Sequence, residues 1–306
     1  MENKKVKIIT HSGNFHTDDV FAVTTLTILL DKRGEKYEVI RTRDPEVMKT
    51  GDFVVDVGGE YNSDKNLFDH HQEGGAGERE NGIPYSSFGL VWKKYGEELC
   101  GSPEAKNIID KRFCYPVDAA DNGVNTFNQV TADIFPYIIH NITLVFRPTW
   151  REEEEKKRNH SSAFMEYIMV ARNILEREIV HAQDEVDGGK LVVDAYEKTK
   201  DKRIIIIDGH YPWEDVLNNF PEPLYVVKPD HQNGGKWKVK AVRDIVVGFE
   251  NRKDLPAGWA GKRGDELAKI TGVPDAIFCH NKRFIAVAGS KEGALALAKL
   301  AVESNN

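Results

Sequence analysis

The sequence predicts an α/β protein in two parts, a parallel-sheet N-terminal domain over residues 1–187 and a smaller mixed α/β C-terminal domain over 188–306. Three observations carry this. In the first half, short apolar, β-branched stretches alternate with helical ones, the βαβ rhythm of a parallel sheet. From residue 162 to 183, after the nearly all-charged run Arg151–Arg158, apolar residues recur at helical spacing, and Asp187-Gly188-Gly189 reads as the end of a long linking helix. Beyond that point short strands follow one another with proline and glycine between them, a texture with more antiparallel character.

The elements follow in order. Val6–Thr10 is apolar and β-branched and reads as a strand, residues 20–31 as a helix, and Tyr37–Arg41 and residues 52–57 as strands again. Helices are expected over 86–99 and 107–117. The second is announced by Ser102-Pro103-Glu104, a cap residue, a proline suited to the first turn and an acid at the positive end. In the second domain strands are expected over 191–193, 203–207, 224–227, 237–242 and 284–288, with helices over 265–271 and 292–302. Loops leaving the carboxyl ends of parallel strands gather on one sheet edge, where ligands bind, and His11, Asp56 and His70 each fall there.

With 306 residues, 40% of them hydrophobic and 30% charged, the chain has the composition of an ordinary globular protein of about two domains. A net charge of −7 and a pI near 5.9 argue against coating duplex nucleic acid by bulk electrostatics, so a polyanionic substrate needs a local site. No apolar run approaches the ~18 residues of a membrane span, and the start enters a strand at once, so the expectation is no membrane partner and a cytoplasmic location. Cys100, Cys114 and Cys279 are odd in number and widely spaced, which suggests reduced thiols rather than disulfides or a zinc knuckle.

Four segments cluster carboxylates and imidazoles at expected strand or helix ends: His11–Asp19, Val55–Gly59, Phe68–Gln72 and Asp118–Gly123. That is the ligand set of a two-metal hydrolase. A phosphoester is shielded by its own negative charge, and two cations about 3.5–4 Å apart neutralise it and supply hydroxide near neutral pH. Carboxylate mixed with imidazole suits Mn²⁺, with Mg²⁺ as a more oxygen-loving competitor. Asp56, between an apolar strand and Gly58-Gly59, suits the bridging position, although an aspartate there also fits an ordinary turn. His11, His16 and Asp18 share one loop, and Asp19 reads as helix cap or supporting base. In Asp69-His70-His71 three ionisable side chains cannot all enter a core, so His70 is assigned to metal, His71 to phosphate and Asp69 to orienting a histidine. Asp118 and Asp121 lie three apart, and one of them is a ligand.

The ordered set resembles the DHH phosphoesterases, named for the triplet present here as Asp69-His70-His71. The fuller wording, His-x-Gly-x-Phe-His-x-Asp from His11, Asp-His-His-Gln from Asp69 and Asp-Ala-x-Asp-Asn-Gly from Asp118, is similar to the melanocyte proliferating gene (MYG) branch over nearly the whole chain. The resemblance implies a DHH-type N-terminal domain, metal ligation by His11, Asp18, Asp56, His70 and one of Asp118 and Asp121, and 3′–5′ exoribonuclease activity. Where most of the superfamily carries an aspartate in the first segment, this chain has His16.

In the second domain Gly258, Trp259, Gly261, Lys262 and Arg263 offer flexible backbone amides, two cations and an aromatic surface, a candidate clamp for single-stranded RNA. The competing reading is a surface turn into the next helix. His181, Asp208-Gly209-His210 and Asp230-His231-Gln232 read as packing or turn residues. The function expected is a Mn²⁺- or Mg²⁺-dependent phosphodiesterase acting on short or single-stranded RNA from the 3′ end. The alternatives are a manganese-dependent pyrophosphatase or polyphosphatase, and a non-catalytic metal- and nucleotide-binding regulator. A homodimer is left open.

Overall fold

The computed structural model describes residues 4–232, 234–244 and 250–305. The chain divides into two units, residues 1–183 and 184–306, each built on its own five-stranded sheet.

In the first unit the elements are β1 (Val6–Thr10), α1 (Thr17–Arg33), β2 (Tyr37–Arg41), α2 (Pro45–Met48), β3 (Phe53–Val55), β4 (Tyr61–Asn62), β5 (Leu67–Phe68), α3 (Ser87–Cys100), α4 (Pro103–Ile109), α5 (Tyr115–Asp121), α6 (Ile139–Phe146) and α7 (Trp150–Glu154). The start of α8 (His160–Lys198) completes it. The sheet order is β2-β1-β3-β5-β4, parallel throughout except for the β5–β4 edge pair. Ile8, Ile9 and Val55 of the central strands are fully buried. So is almost every residue of α1 from Thr17 to Leu30, because that helix is apolar on all sides, with Phe21 set against Phe88 of α3 at 5.6 Å between ring centres. Gly34 closes α1 at φ +71°, its N–H bonded to the carbonyls of Asp31 and Leu30.

The single helix expected over 107–117 is two helices joined by a π turn, Asp110–Cys114. The cause is Pro116, which has no N–H and whose ring excludes the carbonyl four residues back. The ladder widens just before it, with the Tyr115 N–H donating to the Asp110 carbonyl.

A second correction concerns Gly188-Gly189. No strand forms over 191–193, and α8 runs through both glycines to Lys198. Glycine costs a helix about 1 kcal/mol relative to alanine, which buried contacts such as that of Val192 offset. Gly188 is small for a packing reason, since a Cβ there would stand 2.7 Å from Pro212 Cδ, whereas at Gly189 it would meet Val216 at an ordinary 3.4 Å. Gly189→Ala is therefore expected to raise stability by up to about 1 kcal/mol and Gly188→Ala to lower it, measured by denaturant unfolding.

The second unit continues with β6 (Ile204–Ile206), α9 (Glu214–Asn218), β7 (Tyr225–Pro229), β8 (Trp237–Ala241), α10 (Gly264–Thr271), β9 (Ala276–Cys279), β10 (Ile285–Ala288) and α11 (Lys291–Glu303). Its order is β6-β7-β8-β10-β9, with β6–β7 parallel and the other pairs antiparallel. On one face Val227, Val239 and Ala286 pack with Leu297 and Ala301 of α11. On the other, Ile205, Val226 and Val242 pack with Trp213 and Leu217. All three cysteines are free and buried. Among the described residues no helix is long and apolar enough to cross a membrane.

Candidate metal centre

Three neighbouring parallel strands, β1, β3 and β5, end beside one another and are followed by His11, Asp56 and Asp69-His70-His71. The first turn of α1 adds Asp18 and Asp19, and the last residue of α5 adds Asp121. Residues up to 110 positions apart in the chain thus meet at one sheet edge, with side-chain ligand atoms of His11/His16/Asp56, Asp56/His70/His71 and His16/Asp18/Asp121 each within 4.8 Å of one another.

Asp56 stands at the centre. Its backbone takes the left-handed conformation, φ +55°, which aspartate tolerates better than most residues and which turns the chain sharply out of β3. One carboxylate oxygen, Oδ2, lies 3.2 Å from His11 Nε2. The other, Oδ1, accepts from Ser87 Oγ at 3.0 Å and lies 3.4 Å from His70 Nε2. The two oxygens therefore face two different histidines. His70 Nε2 is also 3.2 Å from Asp121 Oδ2 and 3.7 Å from Asp18 Oδ2, and His11 Nε2 is 3.1 Å from Asp19 Oδ2.

Several of these atoms face only one another. Both oxygens of Asp18, Oδ2 of Asp19 and Nε2 of His11 and of His70 are buried, with no hydrogen-bond partner outside the cluster. Buried polar atoms left so are costly, and a cluster of them aimed at common points is what cation ligands look like without the cation. The electrostatics agree. Burial, followed by the neighbouring Asp56, Asp121 and Asp19, pushes the Asp18 carboxyl well above the usual carboxylate range. Burial alone would lower the His11 imidazole, but Asp19 and Asp56 outweigh it and raise it to about 10; Asp121 and Asp56 do the same for His70. Burial opposes ionisation of Asp56, yet His11 and His70 hold it below the usual range. These shifts express an excess of buried negative charge, which a divalent cation would offset. The donor set fits such an ion.

The neighbouring residues have other employment. Asp19 Oδ1 accepts the His16 backbone N–H at 2.8 Å and caps α1. Asp69 accepts from Gly59 N at 2.6 Å through Oδ2, and through Oδ1 from His70 N at 2.8 Å and from both the backbone N and Nδ1 of His71, the latter at 2.8 Å. It fixes the His71 ring, which is 59% exposed. Asp118 is fully buried away from the cluster: Oδ1 accepts from Ser86 Oγ at 2.5 Å and from Gly89 N at 3.1 Å, and Oδ2 pairs with Arg79 at 2.5 Å. Of the two aspartates left open, Asp121 joins the cluster and Asp118 does not.

The cluster opens into a cavity of about 590 Å³ lined by His16, His70, His71, Asp121, His140 and Arg147. The last two, from α6 and just after it, were missed from the sequence. Arg147 Nε donates to the Phe15 carbonyl at 2.6 Å and one of its amino groups is buried without a partner. The signal available was a histidine and an arginine bounding an apolar helical run, Ile139–Phe146.

The expected clamp of the second unit is corrected in part. Trp259 is 5% exposed and belongs to the core with Leu255 and Leu267, so it offers no stacking surface. Lys262 is paired with Glu266, and the Arg263 guanidinium lies 4.4 Å from the centre of the Phe278 ring. Gly261, at φ +73°, serves the turn, and Gly258 lies in a 3₁₀ turn, Ala257–Trp259. Trp259→Ala is accordingly expected to destabilise the protein by about 3–5 kcal/mol, as denaturant unfolding would show.

The family model MYG1_exonuc, described as "Uncharacterised protein family (UPF0160)", matches residues 7–302. The chain is 30% identical to MYG1 protein C694.04c of Schizosaccharomyces pombe, covering 98% of both chains. It is also 30% identical to the MYG1 exonuclease of Rattus norvegicus, covering 96% of this chain and 84% of that one. A crystal structure of exonuclease RecJ bound to manganese aligns over 98% of this chain and 91% of that chain, with 11% identity and a TM-score of 0.28. With a match running almost from end to end, this chain belongs to the MYG1 exonuclease family.

Proposed function

We propose that this protein is a metal-dependent phosphodiesterase that shortens single-stranded or short RNA from its 3′ end. The observation that carries the reading is the buried cluster of unpartnered carboxylate and imidazole atoms at the mouth of a cavity bounded by Arg147 and His71. Relatives named exonuclease support the reaction class. His11, His16, Asp18, Asp56, His70 and Asp121 would hold two divalent ions, Mn²⁺ or Mg²⁺, with Asp56 between them. When bound, such ions supply hydroxide near neutral pH and neutralise phosphoryl oxygens. The chain's own residues do the rest. Asp19 holds His11 and closes the α1 N-terminus, Asp69 orients His71 toward the phosphate, and Arg147 on the cavity wall supplies positive charge near it.

Burial of Trp259 removes the aromatic platform that distinguished a nuclease from a pyrophosphatase, so the substrates must be compared directly. The test is hydrolysis of 3′-labelled and 5′-labelled single-stranded RNA with Mn²⁺, Mg²⁺ or chelator, beside pyrophosphate. Stepwise, metal-dependent loss from the 3′ end is expected. Inert RNA with phosphate released from pyrophosphate would overturn the substrate, and no turnover of either would overturn the enzyme.

Metal binding itself has a thermodynamic signature. Mn²⁺ at 100 times its dissociation constant is expected to stabilise the protein by about 2.7 kcal/mol. Asp18→Asn should leave the metal-free protein at least as stable, since it replaces a buried, unpartnered carboxyl, while removing most of that gain. A thermal scan with and without Mn²⁺ separates the two effects; an Asp18→Asn protein that still gains full stability would remove Asp18 from the ligands.

A further inference from the structure

The second unit carries an assembly of charge that no residue assigned so far explains. Lys228 of β7 and Lys238 of β8 are direct partners in the antiparallel ladder, and Lys240, two residues on, projects from the same face. Like charges set opposite one another repel, so this arrangement calls for anions. Two are present: Lys238 pairs with Asp230 at 2.8 Å and Lys240 with Glu214 at 3.0 Å. Lys228 has none, for among the described residues no carboxylate lies within 4 Å of its Nζ. Its hydrogen-bond partner is an imidazole, His210 Nδ1 at 3.2 Å, and the residue is only 5% exposed. The negative charge that favours it, Glu214, is already paired with Lys240, and an ammonium withdrawn from water without a counter-ion in contact is expensive.

These groups surround a cavity of about 450 Å³. Its cationic side is Lys228, Lys238 and Lys240 with His210 and His231, whose rings meet edge to face at 5.8 Å; its apolar side includes Phe284 and Pro229. Three ammonium groups against two carboxylates leave a surplus positive charge. A phosphate monoester, with a charge of about −1.5 to −2 and three acceptor oxygens, answers that surplus better than a carboxylate. The volume exceeds what a bare phosphate needs and falls in the range of small-ligand sites.

We propose that the Lys228–His210–Lys238 pocket binds the phosphate monoester of a nucleotide, with the remainder of the ligand lying toward Phe284. The inference rests on the second unit alone and does not depend on the nuclease reading. Free nucleotide and a phosphorylated oligonucleotide end share this chemistry, so both serve as probes.

The experiment is calorimetric titration of the full chain, in chelator, with AMP, inorganic phosphate, adenosine and a 5′-phosphorylated tetranucleotide. AMP or the phosphorylated tetranucleotide is expected to bind more tightly than inorganic phosphate, and adenosine not at all. Which of the two binds better identifies the source. Lys228→Met should weaken binding at least about tenfold, the loss expected for one charge-assisted contact, without lowering the melting temperature. His210→Asn, at an exposed position, should weaken it too, and Asp56→Asn should not. Equal binding by wild type and Lys228→Met, a loss seen only in Asp56→Asn, or no binding of any phosphate at millimolar concentration would each overturn the proposal. A Lys228→Met protein that binds normally but melts early would make Lys228 a structural residue instead.

Discussion

Asp56→Asn is expected to lower RNA hydrolysis by at least about a thousandfold, equivalent to some 4 kcal/mol of transition-state stabilisation, while the protein stays folded. The backbone there sits at φ +55°, a region asparagine enters as readily as aspartate, and the Ser87 hydrogen bond to Oδ1 can be kept by the amide oxygen. What is lost is the negative charge shared between His11 and His70, and with it the only carboxylate of the cluster with one oxygen toward each of those histidines. Asp56→Ala removes the charge as well but adds backbone strain, so it tests the chemistry less cleanly. Turnover measured across a Mn²⁺ titration, with the melting temperature recorded beside it, gives the answer. Near-normal turnover at saturating metal would exclude Asp56 as a bridge and with it the two-ion site.

The second large effect concerns stability. Arg79→Met is expected to destabilise the protein by about 3–5 kcal/mol, because it leaves Asp118 buried without its counter-ion. The guanidinium also lies between the Tyr85 and Tyr115 rings, 4.2 and 4.4 Å from their centres, and pairs with Asp110 at 3.0 Å, so packing is lost with charge. Asp118 itself sits at the N-terminus of α3, where Gly89 presents its N–H and where a Cβ would collide with the carboxylate. Its role is to tie α5 to α3. Urea unfolding of Arg79→Met and Asp118→Asn should show the loss, whereas Asp121→Asn should unfold like wild type and bind Mn²⁺ poorly. The reverse pattern, a stable Asp118→Asn that no longer binds metal, would exchange the two aspartates.

The sequence was enough for β1, β2 and β3 and for the convergence of His11, Asp56 and His70, because strands place those residues at carboxyl ends and parallel pairing brings such ends to one edge; the two-residue strands β4 and β5 are too short to show a pattern. β1 and β2 have the boundaries that their apolar β-branched runs indicate. Helix ends were legible where a cap or a glycine marks them, as at Ser102 and Gly34. Where one residue alters a hydrogen-bond ladder the pattern was less direct: Pro116 put a π turn inside what reads as one helix, and Gly188-Gly189 made no stop at all, because Pro212 packs against the helix there.

The order of the four acidic and histidine segments by itself indicated that ionisable side chains gather at the carboxyl edge of a parallel sheet. Only the tertiary structure decided between Asp118 and Asp121, through Arg79 and the α3 N-terminus, and only it put Trp259 in a core and Arg147 and His140 at a cavity. The physical reason is the same in each case. Periodicity along the chain reports which face a residue occupies, but which charge, ring or void meets that face depends on elements tens of residues away, and that meeting fixes whether a carboxylate is a ligand or half of a buried ion pair.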